Sequence, residues 1–291
     1  MKLKPVKTNI LTLAFCFFVI QTNACTGNKL PDSTKTPCLA VIHFELVDNL
    51  IYIPITVNGS NPLRFFLDGG SSACIVDPAV VKALRLKTSG SGVIHGAGSG
   101  GIAVTYAYSI SFGLPGVNLN VPKATIIDLS TSIPGQKVDG LIGYDLFNKY
   151  VVEINYHTST IRLYDPETFH YSGNGSKIPI TLVRKLVHIS ATVKIAGHTP
   201  KVHDYLVDTG SGDSIDDTLI AQSTAPKTDG TGGVGLGKTF TVKIGAVEWL
   251  RIGKYTVENL RGTSGSQAIG NGLLHNYDVF FDYSHHQLIL E

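Results

Sequence analysis

The sequence is poor in charged residues, which make up 16% of its 291 positions, against roughly a quarter in an average globular protein. The formal net charge is only +2, and no stripe of Lys and Arg stands out along the chain. Because a nucleic-acid-binding surface needs such a basic patch, we do not expect a nucleic acid as partner. Methionine occurs once, and long runs rich in Leu, Glu and Lys are missing, so we do not expect long helices.

Cysteine is also scarce, with four residues, and none of them lies in a CxxC motif. The sequence has no HExxH motif and no His/Cys cluster with the spacing of a zinc site. We therefore predict that the protein holds neither a metal ion nor an organic cofactor. An oxidising compartment would allow a disulfide between Cys38 and Cys74, and the alternative is that both are free thiols.

The residues that are abundant favour β-structure. Hydrophobic residues account for 43% of the chain, which is enough to build a core. The 31 glycines are accompanied by 12 tyrosines and 12 phenylalanines. Glycine together with aromatic and β-branched residues is typical of short strands joined by turns. We therefore predict an all-β protein, long enough for one large domain or two small ones.

The first 24 residues have the three parts of a secretory signal peptide. Lys2, Lys4 and Lys7 form a positively charged start, and residues 10–20 are almost wholly apolar. The apolar run is too short to span a membrane comfortably. We therefore expect residues 1–24 to be a signal peptide that is removed when the protein is exported.

The end of this segment, Thr22-Asn23-Ala24-Cys25, resembles a bacterial lipobox, in which a small residue precedes a lipidated cysteine. Thr22 stands where a lipobox usually has a branched apolar residue, so the alternative is ordinary cleavage after Ala24 that leaves Cys25 unmodified. Residues 25–40 are rich in small and polar residues, which is typical of a flexible tether. We predict a bacterial protein that is periplasmic or is anchored to a membrane through Cys25.

The remaining chain repeats one pattern twice. In the first copy, apolar residues alternate over positions 51–57 as in a half-buried strand, and Asn58-Gly59 follows as a strong hairpin turn. A second apolar run then leads into the loop Asp68-Gly69-Gly70-Ser71. Downstream come a glycine-rich stretch, 92–101, and the segment Leu141-Ile142-Gly143.

The second copy has the same landmarks in the same order. Apolar residues alternate over 189–195, a turn follows at Ala196-Gly197, and the return strand leads into Asp208-Thr209-Gly210-Ser211. A glycine-rich stretch at 230–237 and the segment Ala268-Ile269-Gly270 complete the copy. Alternating apolar residues follow each glycine-rich stretch, so we expect each copy to carry a flexible hairpin arm, here called a flap.

These motifs together resemble the aspartic protease superfamily, which has an Asp-Thr-Gly-Ser loop after an apolar strand, a glycine-rich flap and a later apolar-apolar-Gly segment. Residues 208–211 match the loop in full, whereas residues 68–71 match except for Gly69 in place of threonine. The short halves are most similar to the retropepsin-like, bacterial "aspartyl protease family" type. The resemblance implies two pseudo-symmetric retropepsin-like barrel lobes in one chain, residues 41–172 and 173–291, with an active-site cleft between them.

The resemblance also implies that Asp68 and Asp208 are the catalytic residues and face each other across the cleft. Two carboxyl groups at such close range share one proton, so that one can activate a water molecule while the other polarises the scissile carbonyl. Gly70 and Gly210 would let the two backbones approach closely.

The same resemblance assigns supporting roles to the other loop residues. Ser71 and Ser211 correspond to serines whose hydroxyls hydrogen-bond the outer carboxylate oxygens. Thr209 corresponds to a residue whose hydroxyl braces the loop of the opposite lobe. Gly69 cannot supply the reciprocal brace, so we expect a weaker or more mobile site.

Two further motifs have a simpler interpretation than a binding site. Residues 232–239 satisfy the phosphate-loop spacing GxxxxGK[ST], but the apolar residues after them alternate as in a strand, whereas a phosphate loop must open a helix. Asp213, Asp216 and Asp217 do not have the spacing of a calcium loop, so we interpret them as surface or helix-start charges.

The function predicted from the sequence is that of an exported aspartic endopeptidase acting on extended polypeptides. Since both lobes lie in one chain, we expect a monomer. One alternative is a catalytically weak or inactive peptide-binding protein of the same fold. Another is a different hydrolase with two carboxylates, such as a glycosidase, whose pair would stand about 5–9.5 Å apart.

Overall fold

A computed structural model describes residues 36–96, 98–130, 136–233 and 238–291. Most of these residues lie in β-strands and the helices are short, so the predicted all-β class is confirmed. The predicted signal peptide, the lipidation site Cys25 and the tether up to residue 35 lie outside the described residues. Within the described ranges, no helix is both long and apolar enough to cross a membrane.

The first half of the described chain consists of strands with short helices between them. In order these are β1 (Ala40–His43), β2 (Glu45–Val47), β3 (Leu50–Val57), β4 (Leu63–Leu67), β5 (Ile75–Val76), α1 (Pro78–Leu84), β6 (Thr88–Ile94), β7 (Ile102–Leu114), β8 (Val117–Ile126), β9 (Gly140–Ile142), α2 (Tyr144–Lys149), β10 (Val151–Asn155) and β11 (Thr160–Tyr164). The predicted first hairpin is formed by β3 and β4, and its turn residues Asn58 and Gly59 both have the positive φ that a type I′ turn requires.

Six strands of this half close into a ring. Their hydrogen-bonded order is β3–β4–β9–β5–β8–β7, and β7 pairs back to β3. β4 runs parallel to β9, and β5 lies between β9 and β8. Every second residue of β3, including Ile53 and Ile55, is buried in the interior of this ring. The long hairpin β6–β7 extends from it.

The second half continues with β12 (Ser176–Val183), β13 (Leu186–Lys194), β14 (Lys201–Asp208), β15 (Ile215–Asp216), a 3₁₀ helix (Thr218–Gln222), β16 (Lys227–Gly232), β17 (Phe240–Ile252), β18 (Tyr255–Thr263), β19 (Ala268–Gly270), α3 (Asn271–Leu274), β20 (Asp278–Asp282) and β21 (Gln287–Leu290). Six of these strands also close into a ring, in the order β13–β14–β19–β15–β18–β17, with β17 paired back to β13. The strand β17 directly follows the phosphate-loop-like residues, which agrees with their interpretation as part of a hairpin.

A sheet built from both halves joins the two rings. Its order is β1–β11–β10–β20–β21–β12, and the halves meet where β10 pairs antiparallel with β20. Above this junction Phe147 of α2 packs edge-on against Phe281 of β20, with ring centres 4.9 Å apart. The main hydrophobic core therefore runs continuously through both halves.

The cysteines do not form the predicted pair. Cys38 is disulfide-bonded, whereas Cys74 is a free and buried thiol, so neither the Cys38–Cys74 disulfide nor the alternative of two free thiols is correct. Cys74 is held in the core by its backbone N–H, which donates to the carboxylate of Asp145 at 3.0 Å. Burial and the charge of Asp145 raise the pKa of the Cys74 thiol well above its usual range.

Candidate active site

Asp68 is positioned by the end of β4, whose last three residues are buried. Leu67 pairs with Ile142 of β9, and the backbone N–H of Asp68 donates to the Ile142 carbonyl at 2.9 Å. The loop then turns back on itself. The Gly70 N–H donates to Oδ1 of Asp68 at 2.8 Å, and the Ser71 N–H donates to the Asp68 carbonyl at 3.2 Å. The carboxyl group is thus fixed at the end of a buried strand.

Asp208 is positioned in the same way at the end of β14. It pairs with Gly270 of β19. The Gly210 N–H donates to Oδ1 of Asp208 at 2.8 Å, and the Ser211 N–H donates to the Asp208 carbonyl at 3.2 Å. The two loops therefore have matching hydrogen bonds as well as matching sequences.

The structure brings the two aspartates together, and their carboxyl groups are hydrogen-bonded to each other. A β-carbon on Gly70 would lie 2.5 Å from Cγ of Asp208, and a β-carbon on Gly210 would lie 2.5 Å from Cγ of Asp68. Any side chain at either glycine would displace the opposite carboxyl group. The close approach of the two loops therefore requires glycine at both positions.

The surroundings of the two carboxyl groups raise the pKa of both. Burial, the negative charge of Asp208 and the hydrogen bond between the two groups raise the pKa of Asp68 well above its usual range. Burial also raises the pKa of Asp208, but the N–H groups of Gly210 and Gly70 and the hydrogen bond from Asp68 oppose this effect. The two carboxyl groups therefore share one proton and titrate as a coupled pair.

Thr209 is fully buried and connects the two loops. Its hydroxyl accepts a hydrogen bond from the Gly69 N–H at 2.8 Å and donates one to the Leu67 carbonyl at 3.2 Å. Gly69 returns no such contact because it has no side chain. A β-carbon on Gly69 would lie 3.3 Å from the Val207 carbonyl oxygen and 3.6 Å from the Thr209 nitrogen. A hydroxyl at position 69 would therefore have a carbonyl and an N–H within reach.

The serine hydroxyls do not have the role that the resemblance implied. The Ser71 hydroxyl donates to the Ala73 carbonyl at 2.9 Å, and the Ser211 hydroxyl accepts a hydrogen bond from the Asp213 N–H at 3.3 Å. Each hydroxyl thus shapes its own loop instead of bonding an outer carboxylate oxygen. The reason is local, because the chain turns directly after each serine and brings a backbone group two residues on within reach.

The two Ile-Gly segments pack behind the aspartate loops. A β-carbon on Gly143 would lie 2.6 Å from the Ser71 carbonyl oxygen, and one on Gly270 would lie 2.6 Å from the Ser211 carbonyl oxygen. Each aspartate loop thus packs directly against the backbone of the Ile-Gly segment in the same half. This close packing explains why the glycine recurs in both copies of the sequence pattern.

Asn271 is a fully buried site residue that the sequence analysis did not single out. Its side-chain amide donates to the carbonyls of Thr209 and Asn49, both at 2.7 Å, and its Oδ1 accepts a hydrogen bond from the Tyr156 hydroxyl at 2.6 Å. It therefore ties the second aspartate loop to the first half. One sequence feature could have pointed to Asn271. It lies directly after the second Ile-Gly segment, where the first copy has Tyr144.

The hairpins β6–β7 and β16–β17 lie at the predicted flaps, and their tips meet. Ser99 and Lys238 form an antiparallel bridge in which each N–H donates to the carbonyl of the other, at 2.9 and 3.0 Å. Ile94 and Ile102 of the first flap pack on the buried cluster that includes Phe66, two residues before Asp68. Residues 97 and 234–237 of the predicted flaps lie outside the described residues.

The acidic residues after the second loop have different surroundings. Asp213 is exposed, as predicted for a surface charge. Asp217 begins the 3₁₀ helix, where it accepts the Leu219 N–H at 2.8 Å, but it is fully buried and contacts Nδ1 of His203 at 2.7 Å. Asp217 was therefore correctly predicted to start a helix, and a surface position for it was wrong.

Asp216 is half-buried. Burial raises its pKa to about 7, with a smaller contribution from the charges of Asp213 and Asp208, and the hydrogen bond from the Thr263 hydroxyl opposes the increase. Across the ranges that the structure covers, no three His, Cys, Asp or Glu side chains are grouped to hold a metal ion.

A close pair of aspartates on two Asp-x-Gly loops, within an all-β fold, is the arrangement that the resemblance to aspartic proteases implied. Residues 53–146 match the family model described as aspartyl protease, which supports an aspartic protease of the retropepsin-like family. The matched segment contains the Asp68 loop but not the Asp208 loop. A comparison with curated proteins gave no match.

Proposed function

We propose that the protein is an exported aspartic endopeptidase that hydrolyses peptide bonds with a water molecule activated by Asp68 and Asp208. The observation that carries the proposal is the direct contact of their two carboxyl groups, each presented at the end of a buried strand. The family match over residues 53–146 supports peptidase activity. The two closed rings support pseudo-symmetric lobes, residues 41–172 and 173–291, with the cleft between them.

In this mechanism hydrolysis needs no covalent intermediate. The ionised Asp208 takes a proton from a water molecule between the two carboxyl groups, and the water oxygen bonds to the scissile carbonyl carbon. Asp68 gives its proton to the carbonyl oxygen, so a neutral gem-diol forms. The C–N bond then breaks as Asp208 passes its proton to the leaving nitrogen and a diol hydroxyl returns a proton to Asp68. Both groups end in their starting states.

The substrate in this proposal is a polypeptide in an extended conformation. The flaps are hairpins, so their strands can align an extended chain by backbone hydrogen bonds of the kind found in a sheet. The Ser99–Lys238 bridge must part to admit the peptide, and its closure over the bound chain would exclude water. No cofactor takes part in these steps.

The test is digestion of a mixed peptide library across about pH 3–8, since both aspartates have raised pKa values. We expect the native protein to cleave, and Asp68→Asn and Asp208→Asn each to lower the rate by about 10²–10⁴-fold or more. The control is Glu45→Gln, an exposed carboxylate of β2 paired with Arg64, which should leave cleavage unchanged. Cleavage that survives in both site variants would contradict the proposal.

A second candidate function is peptide binding without turnover, which the one-sided brace at Gly69 favours. In that case no peptide would be cleaved at any pH, while extended peptides would still be retained by the folded protein. A glycosidase is not favoured, because its carboxyl groups would stand about 5–9.5 Å apart, whereas Asp68 and Asp208 are hydrogen-bonded directly.

We also propose that the mature protein is monomeric and lies in the periplasm or is anchored to a bacterial membrane through a lipidated Cys25. Both aspartates come from one chain, which supports a monomer, and the sequence of residues 1–25 supports export. Fractionation of cells that express the native protein and Cys25→Ser tests the anchor. A lipid anchor predicts that only the native protein follows the membranes, and soluble protein in both strains would favour cleavage after Ala24.

A further inference from the structure

The strand ladder beside Asp68 carries a row of apolar side chains. Phe66, two residues before Asp68 in the chain, lies on the same face of β4 because side chains alternate along a strand. Phe66 pairs with Leu141 of β9, and Leu141 pairs with Ile75 of β5. All three are buried in one hydrophobic cluster. An apolar wall therefore leads away from this aspartate.

The corresponding ladder beside Asp208 has a different composition. Leu206, two residues before Asp208, pairs with Ala268 of β19, and Ala268 pairs with Asp216 of β15. The second half thus has Ala268 where the first half has Leu141, and it has Asp216 where the first half has Ile75.

The neighbouring strand confirms this correspondence between Asp216 and Ile75. Ile75 pairs in parallel with Thr125 of β8, and Asp216 pairs in parallel with Thr263 of β18. The row beside Asp208 therefore ends in the carboxyl group of Asp216, and the row beside Asp68 ends in the apolar side chain of Ile75. The walls on the two sides of the aspartate pair are chemically unlike.

Asp216 has no cationic partner among the described residues, although it is half-buried. The Thr263 hydroxyl donates to its Oδ1, and a carboxylate can accept about four hydrogen bonds, so Asp216 can accept further hydrogen bonds from a ligand. The charges that act on it, Asp213 and Asp208, are both negative. A partly buried carboxylate with only negative charges near it is stabilised when a ligand places a positively charged group beside it.

We propose that Asp216 is a specificity-determining residue that binds a Lys or Arg side chain of the peptide, on the side of the scissile bond walled by the second half. Ala268, the strand partner of Asp216, has only a methyl side chain where the first half has Leu141. On the other side of the scissile bond, the wall of Phe66, Leu141 and Ile75 is covered by Ile94 and Ile102 of the first flap. This wall binds an apolar residue when the flap opens. This inference rests on the proposed peptide-hydrolysing function.

The first test compares two peptides that differ only by Lys or norleucine at the position facing the second-half wall. We expect the native protein to cleave the Lys peptide with a kcat/KM about tenfold higher or more. In Asp216→Asn the ratio should fall to about one, and in Asp216→Ile, which copies Ile75, norleucine should be preferred. The matched control Asp213→Asn, an exposed neighbouring carboxylate, should keep the native ratio.

The second test measures binding of the same peptides to Asp68→Asn, which mimics the protonated carboxyl group and keeps the charge of Asp208. Tighter binding of the Lys peptide by about tenfold or more, lost when Asp216→Asn is added, supports the inference even if the native protein cleaves nothing. Equal binding of both peptides overturns it even if cleavage is observed. A loss of the preference in Asp213→Asn instead of Asp216→Asn would also overturn it.

Discussion

The hydroxyl of Thr209 accepts a hydrogen bond from the backbone N–H of Gly69 at 2.8 Å and donates one to the Leu67 carbonyl, so a single side chain braces both aspartate loops. In the repeated sequence pattern Gly69 is the counterpart of Thr209, and it returns no hydroxyl. The hydroxyl brace between the two aspartate loops therefore comes from Thr209 alone. This asymmetry makes position 69 the place where the site can be strengthened.

Gly69→Thr should stabilise the protein. The new hydroxyl can donate to the Val207 carbonyl and accept from the Thr209 N–H, which adds about 0.5–1.5 kcal/mol to the free energy of unfolding. This gain corresponds to a melting temperature higher by about 2–4 °C per kcal/mol, measured by thermal denaturation. The control is Gly69→Val, which has the same branching without the hydroxyl. Equal stabilisation by both substitutions would contradict the role given to the hydroxyl.

Thr209→Val should destabilise the protein by about 1–3 kcal/mol, because the buried Gly69 N–H then loses its acceptor. Chemical denaturation measures the loss. Thr209→Ser keeps the hydroxyl and should lose much less. If the serine and valine variants were equally unstable, the methyl group of Thr209 would matter more than its two hydrogen bonds.

Gly70→Ala should lower activity by about 100-fold or more, and the neighbouring Gly69→Ala should lower it far less. A β-carbon at position 70 would lie 2.5 Å from Cγ of Asp208, whereas the nearest neighbour of a β-carbon at position 69 would be the Val207 carbonyl oxygen at 3.3 Å. Displacement of a catalytic group by about 1 Å costs about 100-fold in rate. Measurement of kcat/KM for both variants on one peptide checks this, and similar rates would show that the carboxyl groups tolerate a wider separation.

A disulfide between the flap tips should act as a reversible lock. Ser99 and Lys238 form a hydrogen-bonded antiparallel pair, for which the Cα separation of about 5.5 Å suits a disulfide. In the double variant Ser99→Cys/Lys238→Cys we expect no cleavage under oxidising conditions and recovery after reduction. The two single variants serve as controls. Full activity of the oxidised double variant would mean that substrate enters without parting of this bridge.

Asp216→Asn should change how stability depends on pH. The pKa of Asp216 is about 7 in the folded protein and about 3.9 in an unfolded chain. Between these pH values the folded protein keeps a proton that the unfolded chain releases, so this residue makes the native protein less stable as pH rises from about 4 to 7. The stability of Asp216→Asn relative to the native protein should rise over that window. Parallel curves in urea denaturation from pH 4 to 8 would contradict the shift.

The features that could be predicted from the sequence are those encoded locally and repeated. The turn at Asn58-Gly59 and the strand before it follow from residue types and alternation alone. The two Asp-x-Gly loops stood out because each occurs in the same context, and the structure places Asp68 and Asp208 in contact. The signal peptide, the lipidation of Cys25 and the bounds of the lobes stay predictions.

The features that could not be predicted depend on which residues meet in space. Ser71 has a hydroxyl of the expected type, but the path of the chain after it decides which acceptor that hydroxyl reaches. Asn271 reaches Asn49, which is distant in the sequence, so no local pattern reveals the contact. The sequence does not distinguish Asp216 from the acidic residues beside it, whereas strand pairing places Asp216 opposite Ala268. Residue type made Cys74 a candidate for a disulfide, but in the structure it is a free thiol buried in the core.

The sheet that joins the two halves also sets an order of events during synthesis. Strand β10 of the first half finds its partner only in β20, and β20 in turn pairs with β21, which ends at Leu290. The base of the first half is therefore incomplete until the segment with β20 and β21 has been synthesised. Asp68 meets Asp208 on a stable base only after that segment is made. The proposed peptidase would therefore gain its site only once these two strands have been made.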